Sequence, residues 1–249
     1  MTICVPAADL FVSPDAFSEH ADEALFGTGC EIIDEFGGFY RIKTYYGYTG
    51  WTEKRCVSEE LHPPTACVVS PFSDLLPRAE NKYAPVMTLP RGSMIDYGAP
   101  HPGERWGVAV MPDKKGLFIH TETVAPIPGK RADFRERIVS AARSYLGVQY
   151  RWGGKTPAGI DCSGLAFMAY FFAGITIWRD ADPEKNDCLT GVPLSAAGKG
   201  DLLFYPGHVA IYLGGDRFIH SCGAHGVCEG SFAESPSMKN DIIYIGTAK

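Results

Sequence analysis

The sequence predicts an α+β chain in which a β-rich half precedes a helix-then-sheet domain. Residues 1–129 contain two diverged copies of a pattern of short alternating strands. A stretch rich in proline and glycine at 121–132 is typical of a linker between domains. Beyond it, a helical pattern and the apolar run from Leu165 to Ile175 come before several further strands.

Composition excludes several classes of protein. Of the 249 residues, 45% are hydrophobic and 21% are charged, which excludes a globally disordered chain. The net charge of −6 disfavours nucleic acid as a partner, and no apolar stretch is long enough for a membrane-spanning helix. The charge is uneven: residues 1–129 hold 10 basic and 17 acidic residues, whereas 130–249 hold 13 and 12. This asymmetry indicates a boundary near residue 130.

The amino terminus and the cysteines bear on the cellular compartment. Residues 1–6 lack a basic region followed by an apolar core, so we expect a cytoplasmic protein, or a secreted or periplasmic one if a leader has been removed. Without a signal sequence, we expect free thiols at the eight cysteines. They lie at positions 4, 30, 56, 67, 162, 188, 222 and 228. The sequence leaves the oligomeric state open.

The repeat in the first half predicts two small β-barrels. The equivalent glycines Gly29 and Gly92 lie 63 positions apart. A repeat of this size, built from short strands and tight turns, favours a small barrel in each copy. The predicted strands are 29–34, 39–44 and 50–52 in the first copy and 92–97, 105–110 and 116–120 in the second. The pattern resembles the bacterial SH3-like domain, which gives expected domains at 1–62 and 63–128.

The second half begins with a predicted helix. Asp133 and Glu136 form a capping-box-like start, apolar residues recur at helical spacing from Ile138 to Tyr145, and Gly147 suits the stop. The apolar run to Ile175 predicts a second, buried helix. The strands predicted beyond it are 201–205, 208–213, 217–221 and 242–245.

Cys162 is the first candidate functional residue. It follows a glycine-rich loop and opens the buried helix, where unpaired backbone N–H groups carry partial positive charge. That environment stabilises a thiolate, so we expect a depressed pKa for Cys162. The same N–H groups can hold an oxyanion that develops during acyl transfer. The competing interpretation is a buried structural cysteine.

Two histidines lie on the strands of one predicted hairpin. A three-residue loop at 214–216 would pair Ala210 with His220, which places His208 diagonal to His220 on the same face. A two-residue loop would put the two rings on opposite faces. A cysteine, a basic residue and a residue that orients the base form a nucleophilic constellation.

Five motifs occur in the order found in the NlpC-type cell-wall cysteine peptidases. They are Tyr-Arg-Trp-Gly-Gly at 150–154, Gly-Ile-Asp-Cys-Ser-Gly-Leu at 159–165, Gly-Asp-Leu-Leu-Phe at 200–204, His-Val-Ala-Ile-Tyr-Leu-Gly at 208–214 and Phe-Ile-His at 218–220. The chain resembles this papain-like family over about 135–245. The resemblance implies that Cys162 is the nucleophile, His208 the base and His220 the orienting residue, with neither a cofactor nor a metal.

Two SH3-like domains ahead of such a domain resemble the γ-D-glutamyl-L-diamino acid endopeptidases. The implied fold is two small SH3-like β-barrels followed by a papain-like α+β cysteine peptidase domain at 129–249. The implied reaction is hydrolysis of the γ-D-Glu–diamino acid bond of free murein peptides such as L-Ala-γ-D-Glu-diamino acid, in peptidoglycan recycling or turnover. The implied partner is a murein peptide with a free amino terminus.

The resemblance also implies substrate-binding residues. The element Arg179-Asp180-Ala181 matches one in which the Asp binds the free amino terminus of the substrate, although relatives often have Ser where this chain has Ala181. Tyr48 matches a tyrosine of the first SH3-like domain that closes the groove. The residues expected to line the groove are Tyr150, Trp152, Asp161 and Ser163.

Two alternative functions remain open from the sequence. One is a module that binds cell-wall peptide without turnover. The other is a zinc-binding protein, because four potential ligands lie between His220 and Cys228. Their spacing matches none of the usual zinc fingers or ribbons, and a ligand role would remove His220 from the catalytic set.

Overall fold

A computed structural model describes residues 1–59, 63–98, 103–111 and 114–248. The chain divides into two compact units, Met1–Ile127 and Pro128–Lys249. This division falls inside the predicted linker. The predicted boundary between the two barrels, at residue 62, lies outside the described residues.

The first part of the first unit is a five-stranded antiparallel sheet in the order β3-β2-β6-β5-β4, with a separate pair β1-β7. Burial alternates along β5 and β6, and the sheet packs on a core that includes Ile3, Leu10 and Ile42. The strands are β1 (Thr2–Ile3), β2 (Ala7–Phe11), β3 (His20–Leu25), β4 (Cys30–Phe36), β5 (Phe39–Thr44), β6 (Thr49–Glu53) and β7 (Val57–Ser58).

The second part repeats this arrangement with a five-stranded sheet in the order β13-β12-β11-β8-β14 and a pair β10-β9. Its core contains Val68, Leu89 and Ile119, and Phe26 of the first part packs into the same cluster. The strands are β8 (Ala66–Val68), β9 (Phe72–Leu75), β10 (Met87–Pro90), β11 (Met94–Gly98), β12 (Trp106–Val110), β13 (Gly116–His120) and β14 (Val124–Pro126). Because of the shared core, the two parts form one unit.

The structure supports the internal repeat beyond the predicted strands. In each copy, three antiparallel strands lead into a short 3-10 helix, Lys54–Cys56 in the first and Thr121–Thr123 in the second. Another short strand, β7 or β14, follows each 3-10 helix. The predicted linker is therefore wrong at 124–126, which pair with β8 inside the first unit.

The second unit is a six-stranded antiparallel sheet in the order β17-β22-β18-β19-β20-β21, against which a central helix packs. The helices are α1 (Phe134–Arg143), α2 (Cys162–Phe172) and α3 (Ser237–Asn240). The strands are β15 (Lys155–Thr156), β16 (Gly159–Ile160), β17 (Leu189–Gly191), β18 (Leu202–Tyr205), β19 (His208–Gly214), β20 (Arg217–Cys222), β21 (Gly226–Ser231) and β22 (Tyr244–Ala248). The predicted α+β fold class is confirmed.

The helix α2 is apolar around its circumference because it is covered on all sides. Every residue from Cys162 to Tyr170 is buried, and α2 packs against α1, β19 and β20. Strand β18 is buried along its whole length, so its residues read as a continuous apolar run rather than an alternating one.

Two details of the predicted second half are wrong. Asp133 makes no side-chain capping bond, and Glu136 instead accepts a hydrogen bond from Lys199 at 3.2 Å, so there is no capping box at α1. Helix α1 ends at Arg143, and Gly147 lies in the turn beyond it with φ of +81°. Sequence analysis also missed the edge strands β17 and β21, which contain glycines that weaken the strand pattern.

Within the described part of the chain, none of the helices is both long and apolar enough to cross a bilayer. All eight cysteines lie in the described residues, and none of them is in a disulfide.

The second-unit core should dominate the stability of that unit. Leu203 on β18 is fully buried, whereas Leu146 beyond α1 is 48% exposed. We expect Leu203→Ala to lower the free energy of unfolding by about 2–5 kcal/mol because it leaves a cavity. Leu146→Ala should change it by less than about 1 kcal/mol. Urea unfolding of both variants followed by circular dichroism measures the difference, and equal losses would contradict this description of the core.

Candidate active site

Cys162 lies at the first position of α2 and is 8% exposed. Asp161 is the residue that caps the helix, and one of its side-chain oxygens accepts a hydrogen bond from the backbone N–H of Gly164 at 2.6 Å. Its other oxygen accepts from the backbone N–H of Gly153 at 2.8 Å, which ties the glycine-rich loop to the helix. The N–H groups of Cys162 and Ser163 precede the capped position, so the helix start presents them near the thiol.

A buried arginine completes this turn. Arg179 is fully buried, and its guanidinium donates to both carboxylate oxygens of Asp161, at 3.0 and 3.1 Å. It also donates to the hydroxyl oxygen of Ser163 at 2.8 Å and to the carbonyl of Gly154 at 3.3 Å. Arg179 therefore contacts the residues on both sides of Cys162. Sequence analysis treated Arg179 only as a neighbour of Asp180, although its place in the Arg-Asp-Ala element was a signal for this role.

Gly164 allows the helix start to approach the glycine-rich loop closely. A Cβ atom at this position would lie 2.2 Å from the carbonyl oxygen of Gly154 and 2.9 Å from a carboxylate oxygen of Asp161. No real contact is that short, so a side chain at Gly164 would displace either the loop or the capping carboxylate. The turn that carries Cys162 therefore requires a glycine at position 164.

The two histidines lie side by side on the hairpin β19-β20. The Nε2 atom of His208 lies 2.9 Å from Nδ1 of His220 in hydrogen-bonding geometry. Ile211 pairs with Ile219, which is the register that the sequence hypothesis requires. The predicted three-residue loop is wrong in detail, because Gly214 pairs with Arg217 and leaves a two-residue turn. A β-bulge at Leu213 adds the missing residue and restores the shared face.

Backbone and side-chain hydrogen bonds join the hairpin to the turn that carries Cys162. The backbone N–H of Val209, the residue after His208, donates to the sulfur of Cys162. The hydroxyl of Ser221, the residue after His220, is fully buried and donates to the carbonyl of Ile160 at 2.7 Å. The residue that follows each histidine therefore contacts the turn that carries Cys162, which fixes both histidines relative to that turn.

Burial sets the protonation of the cysteine and the histidines. Burial, followed by the neighbouring Asp161 carboxylate, raises the pKa of Cys162 to about 11, although N–H donors from Val209 and Ser163 act in the opposite direction. Burial lowers the pKa of His208. Burial, together with the charge of His208, lowers the pKa of His220 to about 4. The expected depressed pKa of Cys162 is wrong for the free enzyme, because desolvation outweighs the helix terminus. At neutral pH the thiol and both imidazoles are neutral.

The structure places the other predicted groove residues around this turn. Trp152 is 59% exposed, and Tyr150 is half-buried. Burial and then the charges of Cys162 and Asp161 raise the pKa of Tyr150 to about 12, so its hydroxyl stays protonated near the thiol. The Ser163 hydroxyl is buried between Arg179 and Asp161, where it supports the turn. A role of these residues in substrate binding stays a prediction.

The remaining predicted residues are Asp180 and Tyr48. Asp180 is half-buried and directly follows Arg179. The side chain of Arg179 reaches Asp161 and Ser163, the residues that flank Cys162, so the Asp180 backbone lies one arginine side chain's length from them. Tyr48 is half-buried in the first unit, next to a turn in which Gly47 has φ of +84°. Its neighbour Tyr46 is buried, and its hydroxyl donates to Asp22 at 2.6 Å. The role predicted for Tyr48 stays a prediction.

Two groups of side chains in the described residues could hold a metal ion. The first consists of His220, Cys222 and Cys228, and the second of Asp9, His20 and Glu23. In each group the potential ligand atoms lie within 4.8 Å of one another.

Comparison with known proteins identifies the class. A profile of the NlpC/P60 family matches residues 147–245. Dipeptidyl-peptidase 6 of Lysinibacillus sphaericus is 31% identical over 258 residues, which cover 97% of this chain and 95% of that protein. A gamma-D-glutamyl-L-lysine dipeptidyl-peptidase of Bacillus cereus is 24% identical over 230 residues, which cover 80% of this chain and 66% of that protein. The crystal structure of an NlpC/P60 family protein from Bacillus cereus has a TM-score of 0.84 at 19% identity and covers 99% of this chain and 98% of that one.

The fold of the second unit is therefore that of the papain-like cysteine peptidases, in which a helix-borne cysteine meets a strand-borne histidine. The chain belongs to the NlpC/P60 family, and it is a peptidase.

The Arg179–Asp161 pair should be essential for stability. We expect Arg179→Met to cost about 3–5 kcal/mol, because it leaves the Asp161 carboxylate buried without a positive charge beside it. Arg143→Met is the matched control, since Arg143 is 51% exposed and pairs with Glu229 at 2.7 Å. Glu229 also pairs with Arg217, and a pair at the surface of this kind contributes about 0–1 kcal/mol. Urea unfolding measures both variants, and a similar small loss in each would show that the buried pair is dispensable.

The alkylation rate of Cys162 should follow a raised thiol pKa. With a pKa of about 11, the thiolate fraction of Cys162 rises about tenfold per pH unit from pH 7 to 10. Iodoacetamide labelling of Cys162, quantified by peptide mass spectrometry, should accelerate over the same range. A resting thiolate–imidazolium pair would instead give a fast rate that is constant from about pH 5 upward.

Proposed function

We propose that the chain hydrolyses the γ-D-Glu–diamino acid amide of free murein peptides such as L-Ala-γ-D-Glu-diamino acid. The observation that carries the proposal is the His208–His220 pair held against the Cys162 turn. The names of two relatives, dipeptidyl-peptidase 6 and gamma-D-glutamyl-L-lysine dipeptidyl-peptidase, support this substrate class. The proposed role is wall-peptide recycling or turnover, in the cytoplasm if no leader precedes the chain.

The first half of the reaction forms an acyl-enzyme. Since Nε2 of His208 contacts His220, Nδ1 is the ring nitrogen that remains to take the Cys162 proton. The sulfur attacks the γ-carbonyl of the D-Glu residue as that proton moves to His208. The N–H groups of Cys162 and Ser163 stabilise the oxyanion. His208 then gives its proton to the leaving amine, the C–N bond breaks, and a thioester to Cys162 remains.

Hydrolysis of the thioester completes the cycle. A water molecule loses a proton to His208 and attacks the thioester carbonyl, and the returning proton regenerates the Cys162 thiol. L-Ala-D-Glu is released. His220 accepts a hydrogen bond from Nε2–H of His208, which keeps the Nδ1 lone pair directed at the substrate side. Because its pKa is lowered to about 4, His220 is a neutral acceptor at neutral pH.

The test of this function is mass spectrometry of the products from L-Ala-γ-D-Glu-meso-diaminopimelate and from its lysine counterpart. We expect L-Ala-D-Glu and the free diamino acid from wild-type protein. Cys162→Ala should release no product but still bind the tripeptide in a calorimetric titration. Binding without any cleavage by the wild-type protein would indicate a wall-peptide binding module and overturn the proposal.

Asp180 is proposed to bind the free amino terminus of the substrate. Arg179 anchors this segment at the turn that carries Cys162, which supports the proposal because Asp180 is the next residue in the chain. A charge-assisted hydrogen bond to an ammonium group contributes about 1.5–3 kcal/mol, which is roughly ten- to hundredfold in kcat/KM. Wild-type enzyme should therefore prefer the free tripeptide over its N-acetylated form or intact peptidoglycan.

Asp180→Ala should lower kcat/KM for the free tripeptide by roughly ten- to hundredfold and narrow its preference over the N-acetylated form. The matched control is Asp187→Ala, which removes an exposed carboxylate from the same loop and should leave both rates unchanged. Equal cleavage of the two peptides by wild-type enzyme would disprove amine recognition but leave the cysteine mechanism intact.

A further inference from the structure

The hairpin β20-β21 brings together three soft metal ligands beside the catalytic histidine pair. His220 and Cys228 are directly opposite each other across the two strands. Cys222 lies two residues beyond His220 and therefore on the same face of β20. The potential ligand atoms of the three residues lie within 4.8 Å of one another, and all three side chains are half-buried. Of the three residues in the cluster, only His220 has a role in the proposed reaction.

We propose that His220, Cys222 and Cys228 form an inhibitory site for a thiophilic divalent cation, with Zn²⁺ as the best fit. Zinc takes thiolate and imidazole ligands at about 2.3 and 2.0–2.1 Å in tetrahedral geometry, so neighbouring ligand atoms lie about 3.6–3.8 Å apart. The observed cluster needs only small side-chain movements to reach those separations. Three protein ligands leave the fourth position to water, and binding releases the two thiol protons.

A metal ion fits these positions better than a disulfide does. Cys222 pairs with Gly226 and Cys228 pairs with His220, so the two cysteines are diagonal across the strands. Diagonal positions lie about 7–8 Å apart, whereas a disulfide needs Cα atoms within about 7 Å. In the structure the two thiols are free and hydrogen-bonded to each other. A bridging ion inserts two metal–sulfur bonds and spans the diagonal without moving the backbone.

Zinc at this site would block the reaction through the tautomer of His208. If the ion binds Nδ1 of His220, His208 loses its hydrogen-bond acceptor. If the ion binds Nε2 of His220, then Nδ1 of that ring carries the proton and donates to Nε2 of His208. The proton of His208 then sits on Nδ1, and no lone pair remains for the Cys162 proton. In the first case His208 is no longer held in the active orientation and tautomer, and in the second it has no free lone pair towards Cys162.

Binding is tested without reference to activity. Metal-free, reduced protein is titrated with Co²⁺, and the thiolate-to-cobalt charge-transfer absorption is recorded, followed by displacement with Zn²⁺. We expect one equivalent and a tetrahedral thiolate spectrum for wild type, for Cys162→Ala and for the matched control Cys188→Ser. Cys188 is also half-buried but lies outside the cluster. Cys222→Ser and Cys228→Ser should weaken binding by more than about 100-fold, since a direct ligand matters more than its outer shell.

Inhibition is tested separately, because this part rests on the proposed peptidase function. Zn²⁺ should abolish tripeptide cleavage by wild type and Cys188→Ser, and a chelator should restore it. Cys228→Ser should keep its uninhibited activity and need about 100-fold more Zn²⁺ for the same inhibition. Absence of binding, or a thiolate spectrum that is lost only in Cys162→Ala, would overturn the site. Binding without inhibition would overturn the tautomer argument, and absence of peptidase activity would leave the binding results to stand alone.

Discussion

The active-site half of the molecule depends on one buried ion pair, between Asp161 and Arg179. The Asp161 carboxylate binds the glycine-rich loop, the start of α2 and the guanidinium at the same time. A buried ion pair often stabilises a protein no better than apolar residues of the same shape would. Here the ion pair matters for the geometry of its hydrogen bonds. The Asp161 carboxylate accepts from the glycine-rich loop, the start of α2 and Arg179, and so holds Cys162, its loop and the segment of Asp180 together.

In the resting site the Cys162 thiol and the rings of His208 and His220 are all neutral. In the serine peptidase arrangement, a carboxylate behind the histidine stabilises the imidazolium that forms during the reaction. In this chain the group behind His208 is His220, an imidazole whose pKa is about 4. It contacts His208 but offers no negative charge to an imidazolium there. Burial thus favours the neutral forms of Cys162 and of both histidines.

Local signals carried most of what sequence could predict. The hairpin register, the position of Cys162 at a helix start and the buried helix all depend on patterns within about 15 residues. The Arg-Asp-Ala element marks Arg179, but local patterns could not predict its partner, because Asp161 is 18 residues away and the contact needs tertiary packing. The pKa of Cys162 was mispredicted for the same reason: the helix terminus is visible in sequence, but burial is not. Strand β21 was missed because its glycines interrupt the alternation.

The bulge at Leu213 makes the hairpin tip sensitive to changes in chain length. Side chains alternate along a strand, so deleting one residue from the tip would turn either His208 or His220 to the other face. Adding or removing two residues would preserve the parity. The tip is exposed at Gly215 and Asp216. In homologous chains that keep both histidines, insertions and deletions at this turn should therefore occur in even numbers, or be compensated by gain or loss of a bulge.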